Sequence, residues 1–331
     1  MTSPPSPIMS IESLPREPKF DTYAWADYIE LLCMLNIDRE TSKADVIDRI
    51  KEGRDKGEGL EDPITPSATA AEKKDIHELR ATNFFTHLQY RAGAFREYYP
   101  FEVSDDGSLI CMKSSLTLEH KLYIFLLVAS NLRHVTRKDY SNTITTSFET
   151  VSHAAMKRLL PDYAEVHIFG ANELSAGRYT GNKWSKINLL AKDIKESVKV
   201  KEHHYMSNDL GDQGLDIVSW VPFEDSAQGF LLAFAQCACT TTEWSKKQHS
   251  SSRAAWNSTL TFTVFPLNLA FIPICFRNSS GDWHQPQKIH ESIVIDRIRL
   301  LNLLRGRTDI FMADPSYSII EEVLKESESL V

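Results

Sequence analysis

The sequence predicts an α/β protein: a mixed central sheet flanked by helices, preceded by a mostly helical N-terminal region. Three observations point there. Apolar residues recur at three- and four-residue steps from Thr22 onward; helix-like and strand-like segments alternate beyond Tyr140; and two apolar runs, "LDIVSWVPF" and "GFLLAFAQCAC", flank the polar turn "EDSAQ" as the arms of a hairpin do. The expected division is a disordered lead-in over 1–20, a helical region over 21–140 and the α/β domain over 141–331.

The elements follow in order. Pro and Ser crowd the first twenty residues, and no charged head precedes an apolar core, so this stretch is expected to lie outside the fold and not to act as a secretory signal. Trp25, Tyr28, Ile29, Leu32 and Leu35 mark a first helix, and Val46, Ile47 and Ile50 a second, with Thr41 or Ser42 as N-cap. "KEGRDKGEGLEDPITPSATAAE" is rich in Gly, Pro and charge and reads as a loop. Helical spacing resumes through "KKDIHELRATNFFTHLQYRAGAFREYY". A hairpin across Asp106-Gly107 then leads to the helix carrying Phe125 and Leu126. "TTSFETVSHAAMKRLLP" is a helix stopped by Pro161, and "AEVHIFG" a short strand. "SKINLLAKDIKESVKVK" reads as an amphipathic helix with Ile187, Leu190, Ala191, Ile194 and Val198 on one face and Lys192, Lys195 and Lys199 on another. After the hairpin come a short helix at "SSRAAW", a strand "LAFIPICF" and a helix "IVIDRIRLLNLL".

Composition narrows the function classes. A net charge of −8 argues against coating nucleic acid by bulk charge, so any such contact needs a local basic patch. The five cysteines are odd in number and sit mostly inside apolar runs, which suits reduced thiols and a cytoplasmic protein. "LYIFLLVASNL" is about half the roughly 20 residues a spanning helix needs, and "LTFTVFPLNLAFIPICF" is broken by Pro266, Asn268 and Pro273, so no membrane partner is expected. No Gly-rich phosphate loop, G-x-S-x-G elbow or H-E-x-x-H helix is present, which leaves NTPase, serine-hydrolase and zincin chemistry without their signatures.

Polar residues inside the predicted hairpin carry the chemistry. Asp216 follows Gly214 at the start of one strand, and Gln236 closes the next, so the two are expected to be neighbours able to share one cation. Glu149 falls on a helical stripe with His153, Met156 and Leu160 that would turn toward the sheet. A carboxylate aimed inward needs a partner.

A strand beginning "GLDIV", a second strand ending in Gln-x-Ala and an upstream helix bearing "FE" resemble the PD-(D/E)xK restriction-endonuclease superfamily, in the branch where glutamine replaces the second acid. The resemblance covers roughly residues 145 to 304, and the longer string through "EWSKK" also resembles a set of bacterial anti-phage defence proteins. It implies a restriction-endonuclease-like fold and a DNA-cutting enzyme dependent on Mg2+ or Mn2+. Asp216 then matches the metal-binding aspartate, Gln236 the (D/E) position and Glu149 the glutamate of the first core helix. The family's lysine falls on Ala238, a departure; Lys247, with Lys246 as its rival, is the candidate to bring an ammonium to the same point.

Phosphodiester hydrolysis explains these residue types. Carboxylates of Asp216 and Glu149 and the amide oxygen of Gln236 are hard ligands for a divalent cation, and a nearby ammonium stabilises charge growing on the phosphate. DNA is the favoured substrate over RNA, with a defence-system protein or a second copy of the chain helping to hold it. The alternative is an inactive nuclease-fold subunit that binds DNA or a partner protein. Cys237 and Cys239 with His203, His204 and His249 offer soft ligands for zinc, but they lack a second Cys knuckle.

Overall fold

The computed structural model describes residues 7–11, 14, 21–55, 70–170 and 177–326, which form two compact units. The first comprises residues 1–141, 274–284 and 311–331, the second 142–273 and 285–310.

In the first unit, α1 (Thr22–Leu35) is buried almost all round. It is followed by β1 (Glu40–Ser42), α2 (Lys43–Asp55), α3 (Ala70–Phe95), β2 (Phe101–Val103), β3 (Leu109–Met112) and α4 (Leu118–Ala129). The three strands form an antiparallel sheet in the order β1-β3-β2. Asp106 takes hydrogen bonds from the hydroxyls of Ser104 and Ser108 and Gly107 has φ +63°, so the expected hairpin turn is built from side-chain caps and one left-handed glycine. The predicted loop after α2 has its centre outside the described residues.

The core of this unit holds charge. Arg91, fully buried on α3, meets Asp27 at 2.7 Å and Glu30 at 2.9 Å and donates to the Tyr23 carbonyl. Tyr99 and Tyr123 donate to the Glu30 carboxylate, and Ser130 to Asp27. Two carboxylates around one guanidinium are tolerable in a dry interior because nearly every lone pair has a donor.

The second unit begins within α5 (Lys138–Leu159) and continues with β4 (Glu165–Ile168), α6 (Lys183–Asp193), β5 (Ile217–Val221), β6 (Leu231–Cys237), α7 (Trp244–Lys247), α8 (Arg253–Trp256), β7 (Leu267–Phe271), β8 (Ile293–Ile295) and α9 (Arg297–Leu303). Its five strands lie in the order β4-β5-β6-β7-β8. The first two pairings are antiparallel and the last two parallel, a mixed sheet as expected. Val218, Trp220, Leu232 and Phe234 pack with Ile187, Leu190 and Ile194 of the α6 segment and with Trp256, joining helix to sheet through one apolar core. The chain closes with α10 (Asp309–Met312) and α11 (Pro315–Val323).

Four expectations need correction. The lead-in is not outside the fold where it is described: Ile8, Met9, Ile11 and Leu14 are buried and Met9 bridges Val135, because these apolar side chains, spaced among Pro and Ser, have surface to cover. The α/β domain does not run unbroken from 141 to 331, since 274–284 and 311–331 belong to the first unit, whose core takes up the buried Phe276, Ile320 and Val323. The α6 helix stops at Asp193 instead of continuing to Lys201; Lys195 adopts φ +57° and Val198 bridges Leu260, in keeping with the strand preference of "VKV". The segment "IVI" read as helix is strand β8, with Asp296 capping the helix that follows through the Arg299 N–H. Among the described residues no helix is long and apolar enough to cross a membrane.

Candidate active site

The site lies in the second unit, where the start of β5 meets the end of β6. Register sets it: Ile217 pairs with Ala235, so Asp216 and Gln236 face each other one step beyond. The Asp216 N–H donates to the Ala235 carbonyl at 3.0 Å, continuing the ladder. Both side chains are nearly sealed, at 5% and 8% exposure.

One oxygen of Asp216 is spoken for. Its Oδ2 accepts the Gln236 side-chain amide at 2.5 Å and the Cys237 backbone N–H at 2.6 Å. Gln236 thus presents nitrogen to the aspartate while its Oε1 lies toward Gly214. Its observed role is to orient Asp216, and the amide-oxygen ligation expected from the sequence is not the arrangement seen. Gly214, at φ +74°, leaves no room for a side chain: a Cβ there would fall 2.5 Å from the Ser250 Cβ.

The other oxygen faces further carboxylates. The chain leaving β4 folds against Asp216, whose carbonyl accepts the N–H groups of Phe169 at 2.7 Å and Gly170 at 3.3 Å. Around Gly170, a point one methyl beyond the backbone has Glu149 Oε2 at 3.5 Å, Asp216 Oδ1 at 3.7 Å and Asp212 Oδ2 at 3.8 Å. Three acidic side chains, from α5, from the residue before β5 and from the loop preceding it, therefore face one small space that a glycine keeps open. Asp212 is held there by the Gly214 N–H, 2.7 Å from its Oδ1.

Electrostatics follow from this geometry. Burial, then the adjacent Glu149 and Asp212 charges, push the Asp216 carboxyl well above the usual range, while the Cys237 N–H and Lys247 pull it down. Lys247 also opposes the upward push of burial and of Glu149 on the Cys239 thiol, which places its charge in the same neighbourhood. Lys246, next to it on α7, is exposed, whereas Lys247 is half-buried. A second buried ammonium is coupled to Asp212: Lys186, 3% exposed, donates to the Leu210 carbonyl at 3.0 Å, and Asp212 and Asp209 offset the burial that lowers its pKa.

The structure thus brings together Glu149, Asp216 and Gln236, and Lys247 is within electrostatic reach of Asp216. It adds Asp212, Gly170 and Lys186. The spacing Asp212-x-Gly214-x-Asp216 was the available signal for the first; nothing local marked the other two.

Metal fit divides by ligand type. Among the described residues, no group of three or more His, Cys, Asp and Glu side chains is disposed to enclose a metal ion. Among the described residues the thiols offered to a soft metal are Cys237 and Cys239, whose pKa burial raises, and His249 stacks on His290. Mg2+ asks for less, since it takes one or two carboxylates and keeps water and substrate phosphate for the rest of its shell. Asp216 Oδ1 and Glu149 Oε2, each within 3.7 Å of the point a Gly170 Cβ would occupy, are the two carboxylate oxygens that would be offered to such an ion.

No family model, no curated protein and no solved structure matches this chain.

Proposed function

We propose that this protein is a metal-dependent nuclease of the restriction-endonuclease-like type that hydrolyses DNA phosphodiester bonds, in the cytoplasm and in defence against phage. The convergence of Glu149, Asp216 and Asp212 carboxylate oxygens on the Gly170 space, with the Lys247 charge beside it, supports the reading most directly. A Mg2+ or Mn2+ ion held by Asp216 and Glu149 supplies Lewis-acid polarisation of the phosphate and a water of lowered pKa.

The side chains divide the remaining work. Gln236 and the Cys237 N–H immobilise Oδ2 of Asp216, so that Oδ1 points to the shared space. Asp212 adds negative charge that attracts a cation to the space and, with none bound, raises the Asp216 pKa. Lys247 brings a positive charge to meet a substrate phosphate, the service that Ala238 cannot give. With a net charge of −8, the chain gains from a partner or a second copy in holding DNA.

The competing reading, an inactive subunit that keeps the fold and binds DNA or a partner protein, draws on Ala238 and on the lack of a closed three-ligand cage. Incubating wild type and Asp216→Ala with single- and double-stranded DNA and RNA, with Mg2+ or Mn2+, separates the two. Cutting of DNA by wild type alone is expected; equal residual cutting by both proteins rejects the nuclease.

A further inference from the structure

A second concavity of this unit lies along α5, over the residues that follow Glu149. It encloses about 310 Å3 and is bordered by α5 and by the chain leaving α9. Ala154 and Ile310 give it accessible apolar wall, backed by the buried Val151 and Leu304, while Lys157, Arg158 and Arg307 bring three cations to it and no acidic side chain lines it. In a chain with 45 acidic and 37 basic residues, a cavity that collects only cations is a departure from the background.

The plain explanation is that Lys157 and Arg158 complement the C-terminal end of the α5 dipole. That does not account for Arg307, which arrives from a different segment. The acid paired with Arg307 is Asp309 at 3.7 Å, with both side chains more than half exposed, too loose a contact to hold the guanidinium away from a ligand. His153 adds a polar group of another kind. Its Nε2 lies 3.0 Å from the Val166 carbonyl, which makes that nitrogen the N–H donor and leaves Nδ1 as an acceptor.

An apolar wall, cations suited to a phosphate and one neutral acceptor are the recognition elements of a nucleotide. We propose that this cavity binds a nucleoside phosphate, with the base against Ala154 and Ile310 and the phosphate on Arg158, Arg307 and Lys157. The site is separate from the carboxylate cluster and does not depend on nuclease activity.

The test is calorimetric titration of the full chain with AMP, GMP, CMP and UMP, the four triphosphates and inorganic phosphate. At least one nucleotide is expected to bind at least about 10-fold tighter than inorganic phosphate, a difference of about 1.4 kcal/mol. Arg158→Ala/Arg307→Ala, two exposed changes, is expected to weaken that binding about 10-fold or more. Ala154→Trp, which fills the cavity without touching charge, should abolish it, and Asp216→Asn should leave it unchanged. Several results overturn the assignment: no nucleotide binding at about 1 mM, phosphate binding as well as any nucleotide, binding that survives both cavity variants, or capture of single-stranded oligonucleotides but not of mononucleotides.

Discussion

The side-chain amide of Gln236 and the backbone N–H of Cys237 both donate to Oδ2 of Asp216, at 2.5 and 2.6 Å, so this buried carboxylate is clamped on one side and open on the other. The clamp costs the protein something when burial and two further carboxylates outweigh the Lys247 charge. Burial and the neighbouring acids keep the Asp216 pKa above the ordinary value, and stability carries the mark of that.

Below pH ~4 both folded and unfolded chains hold the Asp216 proton, and no penalty arises. As pH climbs past the ordinary carboxylate value, the unfolded chain ionises first and the folded state loses ground, until pH passes the raised folded value. Asp216→Asn removes that charge while keeping an oxygen for the clamp, so it should melt higher than wild type at pH 7 in metal-free buffer, with each ~1 kcal/mol of relief appearing as roughly 2–4 °C. Mg2+ should raise the wild-type melting point and leave the variant's where it was. Scanning fluorimetry showing the variant melting lower, with no metal effect on wild type, would count against a strained carboxylate cluster.

Lys247 and Lys246 are adjacent, but Lys246 is exposed while Lys247 is half-buried and its charge weighs on Asp216. Lys247→Met is expected to lower the cleavage rate by about 10²–10³-fold, the usual loss when a charge that stabilises the transition state is removed. Lys246→Met should stay within a factor of about two of wild type. Equal losses in initial-rate assays would remove Lys247 from the site.

Gly170 gives a steric test of the same space. A methyl there would stand at 3.5–3.8 Å from three carboxylate oxygens, ordinary contact distance, so Gly170→Ala should fold. It should nonetheless displace a hydrated cation and cut activity by about 10-fold or more. Wild-type activity in a folded Gly170→Ala protein would mean that the cation does not use this space.

The first unit offers a stability test away from the chemistry. Arg91→Met leaves Asp27 and Glu30 buried without their counter-ion and is expected to cost about 3–5 kcal/mol in urea unfolding. A loss under about 1 kcal/mol would show that the two carboxylates take up protons readily and that the ion pairs contribute little.

Much of the fold was legible because periodicity acts locally. The helices around Trp25, Phe84 and Phe125 and the β5–β6 hairpin follow from apolar spacing, and hairpin register alone made Asp216 and Gln236 neighbours. Glu149 joined them through its place on one helical stripe. What escaped depends on long-range packing: whether Lys246 or Lys247 turns inward, how the loop holding Asp212 folds back, and that Gly170 is bare so that three acids can approach. The burial of Ile8, Met9 and Ile11 escaped for a similar reason, since a Pro- and Ser-rich stretch carries no period and its partners Val135 and His134 lie far along the chain.

The most direct measurement is paramagnetic resonance of Mn2+ titrated into wild type, Asp216→Asn and Glu149→Gln. Joint ligation predicts one tight Mn2+ per chain in wild type and a loss of affinity of about 10-fold or more in each single variant. Undiminished Mn2+ binding by both variants would contradict it.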